Sequence, residues 1–224
     1  MSEARGGLLS QLARKLKRLT VEAVPFDPST FDDPVASSTE WGPAKGGGAS
    51  FGTHKLVPVD SFRLEFRPAL GAMVFYGIFF VAGVGLLIGS FFAFAGDGEL
   101  PAFAILFVVG LVFSLVGGGL GYNGTAPIVF DKRRSAFWRG RTAPHEMANR
   151  ASHPKHAPLD EIHALQLISE LCSSDDGSYY SYELNVVLKD GRRINVVDHG
   201  KLGLLQGDAA TVSEFLDVPV WDAT

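Results

Sequence analysis

The chain is short of almost everything that usually announces chemistry. Its 224 residues include a single cysteine, Cys172. One thiol closes no internal disulfide and supplies no metal cluster, so a disulfide scaffold and a cysteine-rich zinc site are both excluded. A lone cysteine also suits a reducing compartment. The net charge is only −4, so the molecule as a whole is no polyanion binder. The glycine-rich AKGGGAS lacks the GxxxxGK[ST] spacing of a phosphate loop and follows no strand signal. No early apolar stretch resembles a cleavable signal peptide. The first run long enough to engage a membrane begins near Leu70, so it is expected to remain as an anchor.

The most telling absence is charge in two long runs. Leu70 to Ala95 gives 26 uncharged residues and Pro101 to Tyr122 another 22, separated by GDGEL. About 20 apolar residues at ~1.5 Å each cross a ~30 Å hydrocarbon core. A buried helix of a soluble protein would carry some polar face, and neither run does. The expectation is a two-helix transmembrane hairpin over residues 67–124. Lys55, Arg63 and Arg67 precede it, and Lys132, Arg133, Arg134, Arg139 and Arg141 follow, whereas the connecting turn has only Asp97 and Glu99. Positive residues stay on the cytoplasmic side. The expected localisation is therefore the cell inner membrane, multi-pass, with both termini cytoplasmic.

The flanks differ in texture. Residues 1–24 carry Leu8, Leu12, Leu16 and Leu19 at helical spacing, with Arg14, Lys15 and Arg18 on the other side. Such a helix could lie on an anionic leaflet, or pack on its own protein, or fray. Residues 25–53 are rich in Pro, Gly, Ser and Asp and read as a linker. Phe26, Phe31, Trp41 and Phe51 are unusual in a spacer and suggest that parts dock on a surface. HKLVPV and FRLEFRP around Asp60-Ser61 predict two short strands within 54–66. After the hairpin, PIVFD and AFWRGR flank a turn at Lys132 to Ser135, followed by a polar loop over 142–157. LDEIHALQLISELC fits a helical stripe or a bulged strand, and its neighbours favour the strand. YYSYELNVVLK alternates at period two, and Asp190-Gly191 signals a two-residue hairpin turn into RRINVVD. A helix is expected from about Asp208, as N-cap, to Leu216, with Pro219 beyond.

Two strands, two more after the hairpin, then three, then a helix: this order resembles the bacterial PH-like (pleckstrin-homology-like) domains found attached to membrane helices. The stretch YELNVVLKDGRRINVV followed by a helix carries the resemblance, which covers roughly residues 54–66 and 127–220. It implies an α+β membrane protein: a transmembrane hairpin inserted into a cytoplasmic antiparallel β domain closed by a C-terminal helix, with 125–224 as the bulk of that domain. The alternative leaves 54–66 outside a five-stranded sheet. In PH domains a basic loop between the first two strands grips a headgroup. Asp60-Ser61 stands there in this chain, so the resemblance implies no such grip.

Candidate sites are few. His153-Pro-Lys-His156, with His145 upstream, falls in a polar loop where Lys155 opposes a dication, so no metal ligand is assigned. Asp198-His199 ends a strand, and neighbouring strand residues face opposite sides, so no acid–base pair is assigned either. Neither catalytic residues nor a cofactor is expected. Between Lys132 and Lys155 stand seven Lys and Arg against one acid, Glu146. That run fixes topology, and Lys132, Arg133, Arg134, Trp138 and Arg139 are candidates for contact with an anionic lipid headgroup. Nucleic acid is not expected as a partner, since the remainder of the domain is acidic. In the spans, Gly85 and Gly89 form GxxxG, and Gly117, Gly118 and Gly121 cluster late in the second run. These are candidate helix-packing residues, serving the hairpin itself, a homo-oligomer or a membrane-protein partner. The functional expectation is a non-enzymatic binding or scaffolding module at the bilayer. The alternative is a subunit or assembly factor of a larger membrane complex.

Overall fold

The computed structural model describes residues 26–44, 46–96, 100–142, 144–146, 154–174 and 177–224. The amphipathic stretch Leu8–Leu19, the turn with Asp97 and Glu99, and His153 lie outside these residues.

Described residues form an α+β molecule with two long apolar helices and two sheets. The first sheet is an antiparallel meander of β1 (His54–Asp60), β2 (Arg63–Pro68), β3 (Ile128–Asp131), β4 (Ala136–Arg139) and β5 (His156–Pro158). Leu64 and Phe66 on β2 face the core and alternate with Arg63, Glu65 and Arg67. The Asp60 carboxylate accepts from the Phe62 N–H at 2.7 Å, which tightens the turn between β1 and β2. β2 then pairs with β3 across nearly 60 intervening residues, with Phe66 opposite Ile128 and Arg63 opposite Asp131. Residues on both sides of the helices therefore share one sheet, and the arrangement that left 54–66 outside it does not occur.

The helices fill that interval. Pro68 closes β2, and α2 (Leu70–Ala95) and α3 (Leu100–Gly124) run antiparallel, zipped by Phe79–Phe113, Phe91–Phe107 and Phe94–Phe103 ring contacts. Both are long and apolar enough to cross a membrane, and about a tenth of each is buried within the protein.

In the second sheet β6 (Ile162–Ser174), β7 (Gly177–Leu188) and β8 (Arg193–His199) form an antiparallel meander. A register shift at Ile162–Ala164 marks the bulge in β6. The turn after β7 has three residues rather than two. Leu188 N–H donates to Arg192 O, and Gly191 sits at φ 80°, the left-handed conformation glycine adopts without strain. The terminal helix α4 (Leu202–Leu216) has its N-cap at Lys201, seven residues before the expected one. Gly203 and Gly207 dilute its local signal, and burial of Leu205 in the core supplies what propensity lacks. Asp208 thereby becomes a mid-helix residue. α4 also serves as the crossover to β9 (Val220–Ala223), which pairs in parallel with β6 and which periodicity did not reveal.

The two sheets and α4 enclose one core. Phe66, Ile128, Phe130 and Phe137 meet Leu165, Leu167, Leu184 and Val186 from the facing sheet, with Leu205, Ala209 and Val212 closing one end. A bridge between Gly52 and His199 joins the sheet edges at one corner.

Residues 26–53 are a strap rather than a spacer. They cross the outer face of the second sheet, anchored by α1 (Pro34–Ser38), whose N-cap Asp33 also contacts His163 at 2.7 Å. Phe31 and Trp41 pack on Trp221 of β9, and Phe26 packs on both of them. Ala44 N–H donates to Glu183, and Gly47 and Gly48 N–H groups donate to Glu170. Within the glycine run Gly48 is required by fit: a Cβ there would sit 2.0 Å from Ser181 Oγ.

Candidate functional site at the helix–sheet junction

The basic turn is the natural starting point, and geometry argues against it. β2 spans Arg63 to Pro68, ~17 Å at ~3.3 Å per residue, and the helices attach at the Pro68 end. Lys132, Arg133 and Arg134 lie at the Arg63 end, away from the helices. Their charges are met by the protein itself. Arg133 pairs with Asp60 at 2.8 Å and stacks on Phe62; Arg134 pairs with Asp131 at 2.9 Å; Lys132 Nζ lies 4.5 Å over the Phe215 ring. Burial would raise the Asp131 pKa, but the Arg134 backbone N–H and the Arg134 and Arg63 guanidinium groups outweigh it and hold the carboxyl below its usual range.

Two further residues of that set are corrected outright. Trp138 is buried, packed with Val129 and Ala136 under the Arg63 guanidinium, and does not reach an interface. Arg139 points between the sheets, where it donates to the backbone O and to Oδ1 of Asn195. The reason is strand alternation within β4: both of its faces are covered, so a basic, aromatic sequence there becomes interior.

Arg139 instead helps to line a cavity of about 200 Å³ where both sheets meet the helix ends. Thr53, His54 and Asp198 contribute from the strands, and Tyr76, Leu120 and Asn123 from α2 and α3. Asn195 Nδ2 donates to Asp198 Oδ1 at 2.9 Å, and Thr53 Oγ1 to the Asp198 backbone at 2.8 Å. Burial lowers the Arg139 pKa, while Asp198 and Glu183 act to raise it. This polar network fastens β4 to β8 directly beneath the hairpin. It is a joint, with every charge facing a group of the same chain.

His199, next to Asp198, turns the other way. Its Nδ1 accepts from Lys201 N–H at 2.9 Å, Gly52 presses against the ring, and burial pushes its pKa down, which keeps it neutral. Adjacent strand residues on opposite faces make no acid–base pair. Cys172 is half-buried beside Gly48, and burial, with Glu170 nearby, raises its pKa, which disfavours the reactive thiolate. Among the described residues no group of three His, Cys, Asp or Glu is placed to hold a metal ion.

The glycines divide by face. A Cβ on Gly83 would lie 2.3 Å from Ser114 N, one on Gly117 2.4 Å from Phe80 N, and one on Gly110 2.8 Å from Leu87 N. These three let the helices touch. Gly118 and Gly121 are at ordinary contact distance from Phe80 and Tyr76. Gly85 and Gly89, the GxxxG pair, meet nothing within 4 Å and point away from the partner helix. Sequence spacing identified the motif and missed Gly110, because a lone glycine in an apolar run carries no spacing signal.

One residue absent from the site candidates stands at the helix end. Arg141 donates from Nη2 to Tyr122 O at 3.0 Å and Thr125 Oγ1 at 2.7 Å, and stacks 4.5 Å over the Tyr122 ring. It sits beside the last turn of α3.

No protein family, curated protein or solved structure matches the chain.

Proposed function

We propose that this is a membrane-anchored, non-enzymatic binding module. α2 and α3 cross an inner membrane of bacterial type with both ends cytoplasmic, and the two-sheet domain forms a PH-like binding or scaffolding surface held against the bilayer. The observation that carries the reading is the pairing of β2 with β3, Phe66 opposite Ile128. An up-down helix pair inserted between neighbouring strands returns both ends to one side, so the domain can close only there. β1–β4, then β6–β8, then α4 supply the strand and helix order of a PH-like barrel, with β5 and β9 as additions. Lys55, Arg67 and Arg141 near the helix ends match the charge bias of a cytoplasmic face.

Topology tests this directly. In a Cys172→Ser background, Gly98→Cys and Thr224→Cys are each treated with a membrane-impermeant maleimide on intact cells. Labelling of Gly98→Cys alone, with Thr224→Cys labelled only after permeabilisation, is expected. Labelling of Thr224→Cys in intact cells would overturn the proposal.

A second reading has its own observation. Gly85 and Gly89 leave an open, close-approach face on α2 that the hairpin does not use. Under that reading the protein is a subunit or assembly factor docked through this face. Replacing both with Ile then abolishes copurification of a partner from native membranes; unchanged copurification removes the reading.

A further inference from the structure

On one side of the hairpin, α2 and α3 part to leave a groove of about 390 Å³. Met73, Gly77 and Phe80 wall it on α2, and Gly118, Gly121 and Tyr122 on α3. It runs from Thr125 at the helix end to the level of Phe80 and Gly117. Eight residues at ~1.5 Å each make it ~12 Å long, close to the ~15 Å depth of one leaflet's hydrocarbon. The floor is open because glycine supplies no side chain: a Cβ on Gly77 meets nothing within 4 Å, and one on Gly118 reaches only the edge of the Phe80 ring at 3.5 Å.

At the mouth stands Arg141. Its two hydrogen bonds, to Tyr122 O and Thr125 Oγ1, both leave from Nη2, and the guanidinium carbon lies 4.5 Å from the centre of the Tyr122 ring. Those contacts hold the head in place. Nε and Nη1 have no hydrogen-bond partner among the described residues, which leaves three N–H donors for an incoming anion. An apolar slot about one leaflet deep with a positioned guanidinium at its polar end is complementary to an acyl chain with an anionic head, and the phosphate of a phospholipid is the anion found at that depth of a bilayer.

We infer that this groove binds one anionic phospholipid of the cytoplasmic leaflet, its phosphate on Arg141 and an acyl chain along Gly77, Gly118 and Gly121. The inference rests on the membrane reading above. It moves lipid recognition from the Lys132–Arg134 turn to the end of α3.

The test uses the full chain purified in mild detergent and offered equal amounts of phosphatidylglycerol and phosphatidylcholine, with retained lipid read by native mass spectrometry. The expected result is one retained phosphatidylglycerol per chain, favoured about tenfold, because the choline cation of phosphatidylcholine offsets its own phosphate beside the Arg141 guanidinium, whereas phosphatidylglycerol keeps its net negative charge. Arg141→Gln should bring the two lipids to parity. Gly77→Leu should fill the slot and reduce retention of both, while improving helix propensity, so the variant folds. Val108→Leu, on an exposed face outside the groove, should behave as wild type. Equal retention of both lipids by wild type, or undiminished retention by Gly77→Leu, would overturn the inference. So would a lipid-free dimer, which would assign the groove to a second copy. Carbonate extraction of native membranes separates the two levels. Release of the protein sinks the membrane reading itself, whereas an embedded protein without lipid preference sinks only the lipid site.

Discussion

The hairpin and the two-sheet domain use apolar residues in opposite ways. In the domain, Phe66, Phe130 and Phe137 are at most 1% exposed and meet their partners across the sheets. In the hairpin, Val81 is 69% and Phe92 76% exposed, and the helices are held by close backbone approach at Gly83, Gly110 and Gly117. One half gains stability by removing side chains from water; the other is held by shape, with its apolar side chains left outside the protein interior. The same residue type therefore means different things on either side of Ala69.

That contrast can be broken by paired substitutions. The largest effect is expected from Phe130→Ala, which opens a cavity in the core and should cost about 3–5 kcal/mol. Phe92→Ala in the hairpin should leave denaturant stability in detergent nearly unchanged, and a comparable loss would mean that the hairpin also has a buried core. Next comes Gly117→Leu. Its side chain would collide with the Phe80 backbone, and overpacking of this kind costs about 3 kcal/mol. Gly85→Leu, at a position where a Cβ meets nothing within 4 Å, should be neutral in the same assay. A smaller loss, on the order of 2 kcal/mol, is expected from Arg139→Gln, which removes the buried guanidinium that bonds Asn195. It should loosen the domain where it meets the helices, detected as faster hydrogen exchange in β4 and β8.

The smallest effect sharpens the comparison at α4. Burial raises the Asp208 pKa from 3.8 to about 6. The fold therefore favours the protonated acid. That contribution is fully present below about pH 4 and is lost as the pH rises through about 6. Asp208→Asn should remove this decline and raise stability at pH 7 by on the order of 1 kcal/mol. An unchanged slope of stability against pH would mean that Asp208 is solvated.

Much of the local structure was readable from side chains alone. The two uncharged runs fall within α2 and α3, the two helices long and apolar enough to cross a membrane. The alternation from Tyr180 to Leu188 runs along β7, and Asp190-Gly191 lies in the turn beyond it. The candidate sites were far less readable. Trp138 and Arg139 read as an interfacial pair and are interior, because their burial depends on what covers each face of the first sheet. The strap read as a linker with aromatics that dock on a surface, but its path was not readable, because its backbone N–H groups meet Glu170, Glu183 and Ser181, more than 120 residues away. Backbone donors leave no trace in composition.

The division follows from range. Periodicity and charge report the environment of each residue's own segment, and they sufficed for two apolar helices set among short strands. Tertiary structure decided which segments meet. It paired β2 with β3 across the hairpin and gave α4 its first turn through Leu205. It turned Gly83, Gly110 and Gly117 inward while leaving Gly85 and Gly89 outside. It also set Arg141, rather than the basic turn, beside the end of α3. Each of these outcomes depends on a contact between residues distant in sequence, whose energy no local pattern contains.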